Sequence, residues 1–259
     1  MSTARALRSG DLLYPAAAFA VGIALWWLLS IALAIPSFLL PSPDEVAAQL
    51  AGNPRMYAVN ALATVEKVVF GGAVGILFGF GFGLLVGTVP FARRALYPYL
   101  VTVRVLPKIA IAPLLLIYLG TGFTTAVVFV ALVTFFPLVV STAAGLARTP
   151  EGHLDLLRSV NAGPVDTLLM VRLPYALPDV FAGLKQSVTL AVVGAVVAEW
   201  VVARRGLGYL ILLGMENLRT DIMIAALSVL VVVGLTFYGC VVLCQRAVDR
   251  RFPVTGTDS

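Results

Sequence analysis

The stretch RTPEGHLDLLRSVNAGPVDTLLMVRLPYALP, residues 148–178, lies between the fourth and fifth of six long apolar runs. Membrane chains that only span usually join their helices by short polar turns. This island is long, basic and patterned for helices. Thr149-Pro150-Glu151 reads as a helix start, with proline in the first turn and an acid near the positive end of the helix dipole. Leu154, Leu156, Leu157 and Val160 then supply an apolar side. Asn161 follows, and after glycine asparagine best tolerates the left-handed conformation that ends a helix. Pro164-Val165-Asp166 starts a second helical stretch through Leu168, Leu169 and Val171, and Pro174 and Pro178 lead into the next apolar run. A short helix, a turn and a second helix are therefore expected. Presented at the cytoplasmic face, they form a docking surface for another protein.

Outside this island the chain is overwhelmingly apolar. Of its 259 residues 60% are hydrophobic and 12% charged, too little charge to cover the surface of a soluble domain. The class is a multi-pass membrane protein. Six spans are expected, about Leu12–Ala34, Val68–Val89, Tyr97–Leu119, Phe123–Leu146, Val180–Val202 and Ile222–Leu243. Each is near the ~20 residues that a helix needs to cross the hydrocarbon. The alternation of a transmembrane β-barrel is absent. The first run carries no small-residue cleavage site and reads as a retained span. The fold class is thus all-α, one transmembrane domain over residues 1–259, with a cytoplasmic loop at about 147–179 between helices 4 and 5. The polar tail Val254–Ser259 is expected to be disordered.

The net charge of +5 raises nucleic acid as a partner, but its distribution argues for orientation instead. With both termini cytoplasmic, eleven basic residues fall inside: Arg5, Arg8, Arg93, Arg94, Arg148, Arg158, Arg172, Lys185, Arg246, Arg250 and Arg251. Five fall outside: Arg55, Lys67, Arg204, Arg205 and Arg219. That bias follows the positive-inside rule, and no nucleic-acid partner is expected.

Glycine recurs at every fourth position of the second run, at Gly71, Gly75, Gly79, Gly83 and Gly87. Helical spacing lines them up as a groove for close packing of another helix, within the chain or between subunits. Pro98, Pro107 and Pro113 should bend or loosen the third span. After Leu40-Pro41-Ser42, Pro43-Asp44-Glu45 opens a helix whose Val46, Ala47 and Leu50 give it an apolar face for the outer membrane surface.

Few side chains suggest chemistry. Glu199, near the outer end of the fifth span, is either a cavity or gate residue or a helix-end pair with Arg204 or Arg205. Arg104 and Lys108, one helical turn apart, either line an anion path or reach to the inner headgroups, as does Lys185. Cys240 and Cys244, spaced i, i+4, are unsuited to a disulfide and lack companions for a metal, so they read as packing residues. A lone histidine, His153, and scattered acids make no active site, and neither catalytic residues nor a metal site are expected. There is no Gly-x4-Gly-Lys-Ser/Thr phosphate loop, so any ATP chemistry belongs to a partner.

The island resembles the cytoplasmic loop of permease subunits of bacterial type I ATP-binding-cassette importers. That loop reads Glu-Ala-Ala, three residues, Gly, nine residues, then Ile-x-Leu-Pro. Counted back from Pro174, Leu173 and Val171 fill the Leu and Ile places, Asn161 the Gly, and Asp155-Leu156-Leu157 the Glu-Ala-Ala. The spacing is intact, with two leucines for two alanines as the main departure. Leu40-Pro41-Ser42-Pro43, Pro107-x5-Pro113 with Leu119-Gly120, Leu177-Pro178, Ala198-Glu199 and Gly206-Leu207-Gly208-Tyr209 widen the likeness to the branch that imports nitrate, taurine and other sulfonates.

The resemblance implies a bacterial inner-membrane permease that works as a dimer with a second copy or a paralogue. Two cytoplasmic P-loop ATPase subunits, using ATP and Mg, would grip Asp155, Leu156, Leu157, Arg158, Asn161, Ala162, Gly163, Leu173 and Pro174. An extracytoplasmic binding protein would deliver a small solute, an anion of the sulfonate, taurine or nitrate kind, or alternatively a heterocyclic vitamin precursor. No cofactor would be bound by this chain. Rival readings are a secondary transporter, which normally has more spans and a charged relay at the midplane, and a membrane scaffold without transport.

Overall fold

The computed structural model describes residues 9–105, 107–202 and 204–251, and the expectation for the tail Val254–Ser259 lies outside them. Every regular element among the described residues is a helix. In chain order these are α1 (Ser9–Ala32), α2 (Pro43–Gly52), α3 (Pro54–Thr88), α4 (Pro90–Val105), α5 (Ala112–Leu119), α6 (Phe123–Ala147), α7 (Glu151–Ser159), α8 (Pro164–Thr167), α9 (Leu173–Val202), α10 (Leu207–Glu216) and α11 (Thr220–Arg251). Five helical runs are long and apolar enough to cross a membrane: Leu13–Ala32, Pro54–Thr88, Phe123–Ala147, Pro164–Val201 and Thr220–Arg250.

The expected single span Tyr97–Leu119 is not one helix. α4 stops at Val105, a 3₁₀ turn covers Lys108–Ile111, and α5 takes up the chain at Ala112. Pro107 accounts for the break: it has no N–H to donate to the preceding turn, and a helix is disfavoured directly ahead of a proline. Pro113 falls in the first turn of α5, where the missing donor costs nothing, and Pro98 is absorbed inside α4. Two further boundaries differ. α3 begins at Pro54, well before the expected Val68, and a further helix, α10, lies between the expected fifth and sixth spans.

The chain parts into two compact units, Met1–Ala58 with Leu210–Ser228, and Val59–Tyr209 with Val229–Ser259. In the first, Glu45 closes a capping box by accepting from the Ser42 N–H at 2.9 Å, while Ser37 donates to the same carboxylate at 2.7 Å. Trp26 Nε1 donates to Pro41 O at 3.1 Å and Trp27 Nε1 to Asp44 Oδ1 at 3.0 Å, so α1 and the start of α2 are tied by indole donors. The Ser42 hydroxyl beside Asp44, helped by the backbone and Trp27, holds that carboxyl below the usual carboxylate range. Val46 is the buried side chain of α2.

The second unit is organised around α6, whose buried side chains run almost its full length from Thr125 to Leu146. Phe129 and Val133 pack with Val197 and Ala198 of α9, while Val130 packs with Val68 of α3 and Ala191 and Val192 of α9. Small residues let these backbones come close. The five regularly spaced glycines of α3, Gly71, Gly75, Gly79, Gly83 and Gly87, all face α6. A methyl at Gly71 would meet Val130 Cβ at 2.5 Å, one at Gly79 the Phe135 carbonyl at 2.7 Å, and one at Gly83 Thr142 Cβ at 2.6 Å. Ser187 of α9 adds a buried hydrogen bond, donating to Thr134 O at 2.8 Å.

Gly79 and Gly81 lie on the same helix, yet a methyl at Gly81 would touch nothing within 4 Å. Gly79→Val should therefore cost about 1–3 kcal/mol through overpacking against backbone that cannot yield. Gly81→Ala should be neutral or slightly stabilising. Thermal unfolding of the two detergent-purified variants, followed by size-exclusion fluorescence, compares them directly.

Candidate functional site

The island at residues 148–178 folds into α7, a tight turn, and a helical run that passes from α8 into α9. Pro150, extended at φ −62° and ψ 134°, precedes α7, and Glu151 occupies its first turn. Leu154 is the buried side chain of α7. Leu156 is 65% exposed, so one of the two leucines that replace alanines lies on an open face, while Leu157 is half-buried. Asp155 and Arg158 pair across one helical turn at 2.8 Å, both largely exposed, which contributes little to stability.

The end of α7 is a Schellman turn. Ala162 N–H donates to Leu157 O at 2.9 Å and Asn161 N–H to Arg158 O at 3.0 Å. Such a turn needs a left-handed residue at the position of Asn161, whose φ is +54°. A glycine, as in the pattern that this loop resembles, would meet the same backbone demand. Gly163 then caps a second start, with Pro164 in the first position and Asp166 in the first turn.

From Pro164 the chain stays helical to Val201. Residues Leu168–Arg172 form a wider π-type turn immediately before Leu173-Pro174. The extra residue per turn relieves the clash that the Pro174 ring would otherwise make with the carbonyl one turn back. The two prolines, expected to lead into the fifth span, do not end a helix. They sit inside one continuous rod.

That rod is pinned at the end nearest α7. Arg148 donates to Asp179 at 2.7 Å, Tyr175 Oη and His153 Nε2 share a hydrogen bond of 2.9 Å, and Thr149 donates to Leu146 O at 3.1 Å. Gly145 of α6 admits Ala176 and Asp179 of α9, with a methyl there reaching Asp179 Cβ at 2.8 Å. Beside the turn lies a cleft of about 590 Å³ whose walls include Thr88, Ala162, Pro164, Val165 and Arg172. Arg172 Nε is buried and has no hydrogen-bond partner among the described residues.

The remaining candidates lie elsewhere. Arg104 is on α4, with its side chain outside the described residues. Lys108 opens the 3₁₀ turn after the break at Pro107, and its Nζ stands 5.6 Å from the centroid of the Phe136 ring. Cys240 and Cys244 are free thiols exposed on α11.

Glu199 is fully buried. Its ion-pair partner is Lys67, at 2.8 Å, and not Arg204 or Arg205 as its position in the sequence suggested. Oε1 also accepts from Thr64 Oγ1 at 2.8 Å, and Oε2 accepts from the Gly208 N–H at 2.7 Å. Lys67 Nζ further donates to Arg205 O at 2.8 Å. Sequence reasoning placed Lys67 among the outer flanking charges and so missed it. The available signal was the spacing of Asn60, Thr64 and Lys67, which share one face of a helix that starts early enough to include them.

The sequence pattern of a family described as "Binding-protein-dependent transport system inner membrane component" matches residues 71–253. A probable ABC transporter permease protein of Haemophilus influenzae is 35% identical over 227 residues, 88% of this chain and 93% of that one. The riboflavin transport system permease protein of Chloroflexus aurantiacus is 30% identical over 217 residues, 83% of this chain and 81% of that one. Other relatives are named as permeases for taurine, formylaminopyrimidine, aliphatic sulfonates and nitrate. Among solved structures, a chain of the MetNI methionine ABC transporter in an inward-facing conformation matches over 72% of this chain and 93% of its own, with a TM-score of 0.64 at 20% identity, a likeness of fold. The chain belongs to the family of inner-membrane components of binding-protein-dependent transport systems. It is an integral inner-membrane permease of an ABC importer for small solutes, a kind of subunit that is not itself an enzyme.

The left-handed turn gives a direct test. Asn161→Gly should leave folding and uptake near the parent level, because glycine satisfies the same φ. Asn161→Val should cost about 1–2 kcal/mol from a β-branched residue forced left-handed. Membrane abundance and uptake of the two variants, measured side by side, check the order.

Proposed function

We propose that the whole chain works as one permease domain of an ATP-driven importer, forming half of the path for a small solute handed over by an extracytoplasmic binding protein. Two cytoplasmic P-loop ATPases, which use ATP and Mg, grip α7 and the turn that follows. A second copy or a paralogue completes the path. The observation that carries this reading is the docking helix joined by one turn to the unbroken helical run Pro164–Val201. A force applied at α7 is thereby led along the full length of a membrane-crossing helix.

Three features support the docking role. Leu156 of α7 and Val160, the residue that caps its end, are 65% and 66% exposed, an apolar pair ready for a groove. Asp155 and Arg158 flank that pair with opposite charges. Arg172 offers a buried donor without a partner, which an acidic group of an ATPase would satisfy.

The broken element contributes the remaining crossing. With α4 and α5 counted as one interrupted passage, six crossings return both termini to the cytoplasm. Irregular backbone at membrane depth is tolerated where it is covered by protein or lines a watery cavity. The break at Pro107 and Lys108 thus suits the path. A cation there favours an anionic solute of the taurine, sulfonate or nitrate kind, and relatives named for those solutes agree. The riboflavin and formylaminopyrimidine permeases, at 30% and 32% identity, favour a second reading, a heterocyclic vitamin precursor.

Purification of the tagged permease in mild detergent should recover a P-loop ATPase and a solute-binding protein. Thermal-shift screening of that binding protein against both solute classes then decides between them. Asp155→Lys should abolish ATPase co-purification and uptake while the permease still inserts. Retention of the ATPase by that variant would remove α7 from the docking surface.

A further inference from the structure

The carboxylate of Glu199 is one part of a larger knot. Gly206, Leu207 and Gly208 present three successive N–H groups, accepted respectively by Asn60 Oδ1, Thr64 Oγ1 and Glu199 Oε2 at 2.8, 2.8 and 2.7 Å. The carbonyl of Arg205 accepts from Lys67 at 2.8 Å. The backbone of this turn is therefore held by side chains of α3 and α9 instead of by its own hydrogen bonds. The two glycines are required by the same fit. Gly206, at φ +135°, lies against the Glu199 carboxylate so closely that a methyl would overlap it, and a methyl at Gly208 would meet Oε2 at 2.8 Å.

Both oxygens of Glu199 are occupied and its side chain is fully buried, so it presents nothing to a passing solute. Yet it stands at the far end of the rod whose other end carries the docking turn. We propose that Lys67 and Glu199 are a positioning pair that clamps the turn at residues 204–208 and the end of α9 onto α3, so that all three move together when the docking turn is displaced. The inference rests on the importer reading for the source of that displacement, though not for the clamp. Polarity matters in this arrangement. Besides Lys67, one hydroxyl and one backbone donor, from Thr64 and Gly208, point at the Glu199 carboxylate, so an exchange of the two charges would set donors against an ammonium group.

The test uses the full permease in nanodiscs, with Cys240 and Cys244 replaced by serine and a spin label at Arg204→Cys on the clamped turn. Its variants are Lys67→Met, Glu199→Gln, the neutral pair carrying both, and the exchanged pair Lys67→Glu with Glu199→Lys. Expected are a mobile label and uptake reduced at least tenfold in each single variant. The neutral pair should recover an immobile label and at least a third of uptake, because glutamine still accepts from Gly208 and no lone charge remains. The exchanged pair should not recover. An immobile label in both single variants would overturn the clamp. So would a Glu199→Gln protein whose only change is a raised KM for solute, which would place Glu199 in contact with the cargo. If the parent protein shows no ATP-driven uptake while the label responds as described, the importer reading fails and the clamp stands.

Discussion

A polypeptide in hydrocarbon must satisfy every backbone donor and acceptor within itself, and this requirement governs each irregular feature of the permease. Long helices meet it along most of their length, and five runs are long enough to cross a membrane here. Among the described residues three irregular places stand out: the break at Pro107, the wide turn before Pro174, and the turn between α9 and α10. Each is resolved by a different device. The break is followed at once by a 3₁₀ turn, the wide turn keeps the helix continuous across a proline, and the third turn borrows acceptors from Asn60, Thr64 and Glu199.

The last device explains why a charged pair is buried in the second unit. A buried Lys–Glu pair is a poor source of net stability, since desolvation consumes most of the attraction. Here the carboxylate also accepts from Thr64 and Gly208, and the ammonium also donates to Arg205 O. An apolar pair of the same size would fill the space and leave those backbone groups without partners. The pair fixes a conformation more than it adds energy. The same logic accounts for the glycines beside it, which are selected by contact with a side chain and not by chain flexibility.

Much of this fold was legible in the sequence. Composition and run length gave the class, and residue types gave the local endings: Asn161 left-handed at the end of α7, Ser42 and Glu45 in a capping box, glycines at every fourth position of α3. What sequence could not give was partnership across more than a hundred residues. Glu199 read naturally beside Arg204 and Arg205, its neighbours in the chain, whereas helix direction brings Lys67 to it from the opposite end of the unit's sequence. Proline was also ambiguous. Pro107 breaks a helix, Pro98 and Pro178 sit inside helices, and Pro174 shifts one to π-type winding, because the outcome depends on whether neighbours can re-satisfy the freed carbonyl.

The two ends of the long rod differ in a way that bears on how such a subunit assembles. At the Glu199 end every polar group of the knot has a partner inside the chain. At the other end Arg172 keeps a buried donor unmatched, and Leu156, Val160, Val165, Leu169 and Met170 remain more than half exposed. Unsatisfied groups and bare apolar surface are costly in a finished structure but expected in one that awaits a partner. On the proposed reading the docking end is completed by the ATPase and the far end is complete already. A lever works only if one end is held and the other is engaged, and the distribution of satisfied and unsatisfied groups along this rod has that asymmetry.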